Sequence, residues 1–144
     1  MTVAKILRSK GSYVETVRPE TSLQEVAERL AKRRIGALLV TDSNGKVLGI
    51  VSERDIVFAL ASAGGMALQR RADDVMTRGV VTCISTDKAE DLMETMTQGR
   101  FRHLPVVEDG RLLGIVSIGD VVKQRIEDTD SERAAMREYI ASAG

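Results

Sequence analysis

The order of apolar and polar residues predicts the same set of elements twice along the chain. In the first half, apolar residues three and four positions apart predict a helix from about Leu23 to Arg34 with one buried face. The apolar runs Ala37–Val40 and Val47–Val51 predict two strands, and Asn44-Gly45 between them is typical of a tight hairpin turn. Tyr13–Val17 is predicted as a shorter strand before the helix.

The second half repeats this order. Val80–Ile84 is predicted as the short strand. In the first half, Ser22 and Glu25 at the start of the predicted helix have capping-box spacing. Asp87 and Glu90 take their places at the start of the corresponding helix in the second half. Asp109-Gly110 is again a hairpin dipeptide. The hairpins end alike, in Gly-Ile-Val-Ser-x-x-Asp, at positions 49–55 and 114–120. Two copies predict a pseudo-symmetric pair of repeats rather than a long solenoid.

A helix is predicted after each hairpin. The first, Ile56–Ala63, is apolar on most sides, which suits a helix at an interface. The second, Val121–Glu127, is more polar, and a separate terminal helix is predicted over Asp130–Ser142 with Ser131 as its cap. The terminal helix has a narrow apolar stripe, which would dock on its own domain or on a second subunit.

The two Ser-x-x-Asp pairs, Ser52 with Asp55 and Ser117 with Asp120, allow two interpretations. A serine at the N-cap with an acid three residues later is a capping box, and spacing alone favours this structural role. Both acids also lie where a strand leads into a helix N-terminus, a place suited to binding an anion. The two roles are compatible.

Composition excludes several function classes. The 144 residues carry 21 basic and 21 acidic side chains, so the net charge of zero speaks against a dedicated nucleic-acid binder. The sequence has no apolar run long enough for a membrane span and no signal peptide, and Cys83 is the single cysteine, so we expect a cytoplasmic protein. Cys83 and His103 stand apart and predict neither a metal site nor a catalytic set, although a redox role for Cys83 stays open.

The repeated pieces, a Gly-turn hairpin followed by Gly-Ile-Val-Ser-x-x-Asp, resemble the cystathionine β-synthase (CBS) domain. The resemblance implies an α+β fold of two tandem β-α-β-β-α repeats packed with pseudo-two-fold symmetry. It implies a first repeat over residues 1–65 with an N-terminal helix, a linker and second repeat over 66–128, and a C-terminal helix over 129–144. In CBS pairs the segments leading into each repeat, here Met1–Lys10 and Ala72–Thr77, pack against the other repeat.

The resemblance also implies two ligand clefts, in which the acid contacts a ribose and basic residues hold phosphate. The first cleft would contain the residues Ser52, Arg54, Asp55, Thr82, Arg102 and His103. The second would contain Thr16, Gly36, Ala37, Ser117 and Asp120. Because the first has three basic groups and the second has Gly36, Ala37 and Gly119 in their places, we expect phosphate-bearing ligands to prefer the first.

In function, the resemblance implies a stand-alone regulatory module and not an enzyme. Its ligand would be an adenine compound, namely AMP, ADP, ATP, NAD or S-adenosylmethionine, between which the sequence does not choose. It would form a homodimer and signal to an unidentified effector protein in trans. The alternative is a protein-interaction or structural dimerisation module whose clefts are vestigial.

Overall fold

The computed structural model describes residues 1–143, in which helices and two small sheets form the predicted α+β fold. The helices are α1 (Val3–Lys10), α2 (Leu23–Arg33), α3 (Glu53–Ala63), α4 (Ala72–Val75), α5 (Ala89–Gly99) and α6 (Ile118–Ala143). The strands are β1 (Thr16–Val17), β2 (Ala37–Thr41), β3 (Val47–Ser52), β4 (His103–Glu108) and β5 (Arg111–Ser117). A 3₁₀ segment, Gly64–Gln69, follows α3.

Each repeat contains the predicted antiparallel hairpin. Strand β2 pairs with β3, β4 pairs with β5, and β1 adds a parallel edge to the first sheet only. The turns have the expected backbone: φ is +80° at Gly45, +52° at Asp109 and +74° at Gly110. Both residues of Asp109-Gly110 thus have positive φ, whereas in the first turn the glycine of Asn44-Gly45 has it and the asparagine does not.

The Ser-x-x-Asp pairs form caps in both repeats. The Ser52 hydroxyl accepts a hydrogen bond from the Asp55 amide, and the Asp55 carboxylate accepts one from the Ser52 amide at 2.9 Å. Ser117 and Asp120 make the same exchange, at 3.1 and 2.9 Å. The capping interpretation of both pairs is therefore confirmed, and it fixes each aspartate at a helix N-terminus.

Several predictions of local structure need correction. The strand predicted at Tyr13–Val17 covers only its last two residues. Asp87 does not cap α5: Lys88 is its N-cap residue, and the Asp87 carboxylate accepts from the Ile84 amide at 2.9 Å. The two helices predicted at the C-terminus are one helix, α6, in which Ser131 lies in the interior. Nothing between Glu127 and Ser131 breaks a helix, since that stretch has neither Gly nor Pro.

The strand predicted at Val80–Ile84 is reduced to one bridge between Cys83 and Val106. Pro105 explains this loss. In the first repeat, the Leu39 amide donates to the Glu15 carbonyl, which joins β1 to β2. The second repeat has Pro105 at the position of Leu39, and proline has no N–H to donate.

The two repeats exchange their leading segments, so that each hydrophobic core contains residues from both halves. Val3 and Ile6 of α1 are buried in the core of the second repeat, whereas Ala72 and Met76 are buried in the core of the first. Glycines in the return strands allow this approach. A Cβ added at Gly49 would lie 2.5 Å from the Met76 sulfur, and one at Gly114 would lie 2.7 Å from a Leu7 methyl.

Helix α3 buries only part of its apolar surface. Ile56 and Ala59 belong to the first core, but Val57 and Phe58 remain 60% and 66% exposed. The sequence predicts an interface helix here because the helix is apolar on most sides. In the structure, these two large apolar side chains remain accessible to such an interface.

Candidate ligand-binding clefts

A cavity of about 590 Å³ lies between the two repeats. One wall comes from the end of β3 and the start of α3, and the other comes from the segment between α5 and β4. A third part comes from the segment that follows α4, which contributes Thr77, Val80 and Val81. The ionisable residues in its lining are Glu53, Arg54, Asp55, Arg100, Arg102 and His103, and the other lining residues include Gly36, Ile50, Ser52, Thr77, Val80 and Val81.

Five of the six residues predicted for the first cleft line this cavity. Thr82 is the exception: it is exposed, and its neighbours Val80 and Val81 form the wall instead. Gly36, assigned from sequence to the second cleft, also lines this cavity. A Cβ at Gly36 would lie 3.4 Å from the His103 ring, so the starts of β2 and β4 meet here.

Arg100 is a lining residue that the sequence analysis missed. It is the C-cap of α5 and adopts the left-handed conformation, with φ of +56°. This turn brings Arg100 onto the same cavity wall as Arg102. A non-glycine residue in this conformation is rarely predicted from sequence, and the only available signal was its position directly after Gly99.

The three arginines make the cavity suitable for an anion. None of Arg54, Arg100 and Arg102 forms an ion pair or a side-chain hydrogen bond within residues 1–143. Guanidinium groups bind phosphate well because their planar N–H donors match its oxygens. The Asp55 carboxylate, held by Ser52, lies beside them as an acceptor for hydroxyl groups.

The surroundings of His103 disfavour its charged form. Burial lowers the pKa of its imidazole below 6.5, and the positive charge of Lys10 lowers it further, while Asp120 and Glu53 partly oppose these effects. A phosphate placed beside His103 would favour its protonated form. His103 can therefore respond to the charge of a ligand.

The second predicted cleft has a different arrangement. The Lys10 ammonium at the end of α1 donates to the Asp120 carboxylate at 2.6 Å and to the Ile115 carbonyl at 2.9 Å. Burial alone would raise the pKa of Asp120, but hydrogen bonds from Lys10 and the Ser117 amide outweigh it, so the pKa is lowered. The Asp120 carboxylate that a ribose would need is thus already bound by Lys10. Nothing in the spacing of the sequence predicts this contact.

The remaining residues predicted for the second cleft are not joined to Asp120 by any hydrogen bond within the described chain. Ala37 is buried in β2 opposite Ser52, and Gly36 faces His103. The Thr16 carbonyl accepts from Arg29. Within residues 1–143, Ser117 and Asp120 are the pair of this predicted set that is joined by hydrogen bonds involving side chains.

The described residues contain no group of three His, Cys, Asp or Glu side chains placed to hold a metal ion. Burial raises the pKa of the Cys83 thiol to about 12, which keeps it protonated at neutral pH. Within residues 1–143, no helix combines the length and the apolar character that a membrane crossing requires.

The fold and the cleft define a class of protein: a two-repeat α+β module with a ligand cavity between its repeats. The family model of the CBS domain matches residues 3–62 and 72–127, so the chain belongs to the CBS-domain family. This confirms the resemblance drawn from the repeated hairpin and Ser-x-x-Asp motifs.

Solved structures agree with this assignment. The chain is similar to a CBS-domain protein of Agrobacterium tumefaciens, with 51% identity and a TM-score of 0.84 over 86% of this chain and 92% of that one. It is also similar to the CBS domain pair of protein MJ0100 in complex with 5-methylthioadenosine and S-adenosyl-L-methionine (28%, TM-score 0.79, 89% and 98% covered). A third is a Pyrobaculum aerophilum CBS protein complexed with AMP (30%, TM-score 0.74, 83% and 89% covered).

The curated relatives include longer proteins. The first of these is a CBS domain-containing protein of Arabidopsis thaliana that is 35% identical over 130 residues. The match covers 90% of this chain but only 24% of the plant protein. The family therefore supports a regulatory ligand-binding module, and the activity of the longer proteins is not transferred.

Proposed function

We propose that this chain is a regulatory module that binds an adenine nucleotide in the first cleft and transmits its presence to a partner protein in trans, without catalysing a reaction. The observation that carries the proposal is a set of three arginines that line the same cavity as the Asp55 carboxylate and form no ion pair within residues 1–143. Two solved relatives that hold adenine-containing ligands support the choice of ligand.

The cavity contains a suitable group for each part of such a ligand. Asp55 would accept hydrogen bonds from the ribose hydroxyls, with Ser52 fixing its carboxylate. The arginines and His103 would hold phosphate, and Ile50, Val80 and Val81 give an apolar surface for the base. Because groups from both repeats would touch one ligand, binding would favour one relative arrangement of the repeats.

A homodimer would provide the second half of the mechanism. Val57 and Phe58 on α3 are the exposed apolar residues that support it, because a patch of this kind is unusual on the free surface of a monomer. A ligand that changed the repeat arrangement would then change the dimer or its surface for an effector.

Isothermal titration calorimetry with AMP, ADP, ATP, NAD, S-adenosylmethionine and adenosine tests the proposal. We expect Arg54→Ala to weaken AMP about tenfold or more, because a hydrogen bond to a charged group contributes roughly 1.5–3 kcal/mol. Adenosine, which has no phosphate, should be affected far less. Arg111→Ala, an exposed arginine outside the cavity, is the matched control.

The two aspartates distinguish the clefts. Asp55→Asn should abolish the tighter site while keeping an acceptor for the Ser52 amide, whereas Asp120→Asn should leave that site largely intact. Loss of the tighter site in Asp120→Asn would mean that the clefts are assigned in reverse. Absence of binding for every compound at millimolar concentration would favour the alternative, a dimerisation or interaction module with vestigial clefts.

A further inference from the structure

Helix α6 extends beyond the body of its own repeat. Val121 and Gln124 are buried and Asp128 accepts from Lys5 at 3.0 Å, so this face of the helix packs on the protein. From Thr129 to Ser142 every residue is exposed. At 1.5 Å per residue, the part of α6 beyond Asp128 is about 22 Å long.

A second face of α6 carries apolar side chains that are largely exposed. Their exposed fractions are 41% for Val122, 56% for Ile126, 59% for Met136 and 63% for Ile140. These residues belong to a series in which steps of four and three residues alternate, at positions 122, 126, 129, 133, 136 and 140. Alternating steps of four and three are the a and d positions of a two-stranded coiled coil.

The a and d positions form the seam of such a coiled coil. The charged residues beside this seam favour a second copy of the chain as the partner, and they favour a parallel over an antiparallel arrangement of the two helices. In a parallel pair, the g position of one helix faces the e position five residues later in the other. Glu132 then faces Arg137, and Arg125 faces Asp130, so both layers join opposite charges. Arg125 also pairs with Glu90 of its own chain at 3.0 Å, so the pair Glu132 and Arg137 is the more selective of the two.

An antiparallel pair in full overlap would bring like charges together. With position 126 opposite position 136, Asp130 would face Asp130 of the other copy, and Glu132 would face Glu132. Lys123 would face Arg137. These three like-charge contacts disfavour the antiparallel direction.

From the exposed stripe and these charges, we propose that α6 pairs with α6 of a second copy as a parallel two-stranded coiled coil over Val122–Ile140. The seam is apolar at both ends, and Thr129 and Arg133 occupy its middle. A polar residue at an a position fixes register at a cost in stability. In this register Arg133 lies beside Glu132 of the other copy, which offsets part of that cost. This pairing does not depend on a nucleotide in the first cleft.

Disulfide formation between engineered cysteines tests the arrangement directly. Met136→Cys places a thiol on the seam, opposite the same residue of the other copy in a parallel pair only. We expect it to form a covalent dimer under mild oxidation at least tenfold faster than Glu138→Cys, which lies on the opposite face. Cys83 is buried and should not interfere, and Cys83→Ala in the same background verifies this.

Charge reversal supplies the second measurement. Glu132→Arg should slow the Met136→Cys cross-link about three- to tenfold, and Glu132→Arg with Arg137→Glu should restore it, because the pair is exchanged. Equal rates for the 136 and 138 cysteines would overturn the proposal. So would a preferred disulfide between Ile126→Cys and Met136→Cys in a mixture of the two variants, since that product requires antiparallel helices.

Discussion

Replacing Lys10 with methionine tests how strongly the first helix is held across the second cleft. The substitution keeps the length of the side chain but removes the ammonium that donates to Asp120 at 2.6 Å and to the Ile115 carbonyl at 2.9 Å. Lys10 and Asp120 side chains are 31% and 23% exposed, so solvent screens the pair only in part. We expect Lys10→Met to lower the free energy of unfolding by about 1–2 kcal/mol.

The loss should depend on Asp120 and on pH. The pKa of Asp120 is lowered in the folded protein, so its contribution is fully present above the unfolded value of about 3.9. It is lost as the pH falls through the lower folded value. The difference between wild type and Lys10→Met should therefore be constant near neutrality and diminish in acid.

Urea unfolding followed by circular dichroism measures these quantities in a double-mutant cycle with Asp120→Asn. Each single variant should be destabilised, and the double variant should be less destabilised than the sum of the two. Lys32→Met, an exposed lysine without a side-chain partner among the described residues, is the control. Strict additivity in the cycle would refute the argument that Lys10 and Asp120 stabilise one another.

Three further predictions follow from single positions. Gly49→Ala should destabilise the fold by about 1–3 kcal/mol in urea, because its Cβ would lie 2.5 Å from the Met76 sulfur and 2.9 Å from the Thr77 carbonyl; Gly65→Ala, with open space around it, should not. The Cys83 thiol, with a pKa of about 12, should resist Ellman's reagent at pH 8 until the protein unfolds. Binding of AMP, but not of adenosine, should raise the lowered pKa of His103 and so be accompanied by proton uptake at this residue, measured as a buffer-dependent binding enthalpy.

Local features of the fold were predictable because each depends on residues close together in sequence. The hairpins follow from Asn44-Gly45 and Asp109-Gly110, and the starts of α3 and α6 follow from their Ser-x-x-Asp pairs. The prediction of a strand at Val80–Ile84 was wrong because that strand depends on residues far away in the sequence. Its pairing depends on whether a distant strand offers an N–H, and Pro105 does not.

The candidate site was only partly predictable for the same reason. The CBS resemblance placed Arg54, Asp55, Arg102 and His103 in one cleft, and these residues do line one cavity. Arg100 reaches it through a left-handed cap, which depends on the geometry at the end of α5. Lys10 and Asp120 are 110 positions apart, and no periodicity connects them.

The difference between the two clefts arises from the segments that the repeats exchange. At the first cleft, the segment after α4 pairs with β3 through its backbone: Thr77 and Ile50 exchange hydrogen bonds of 2.9 and 3.1 Å. This contact brings no side-chain charge to Asp55. At the second cleft, Ile115 offers its carbonyl to the Lys10 ammonium, which also reaches Asp120. Two nearly identical motifs therefore end in different electrostatic states, because the residue delivered by the other repeat differs. The asymmetry in ligand binding that we propose thus originates outside the motifs themselves.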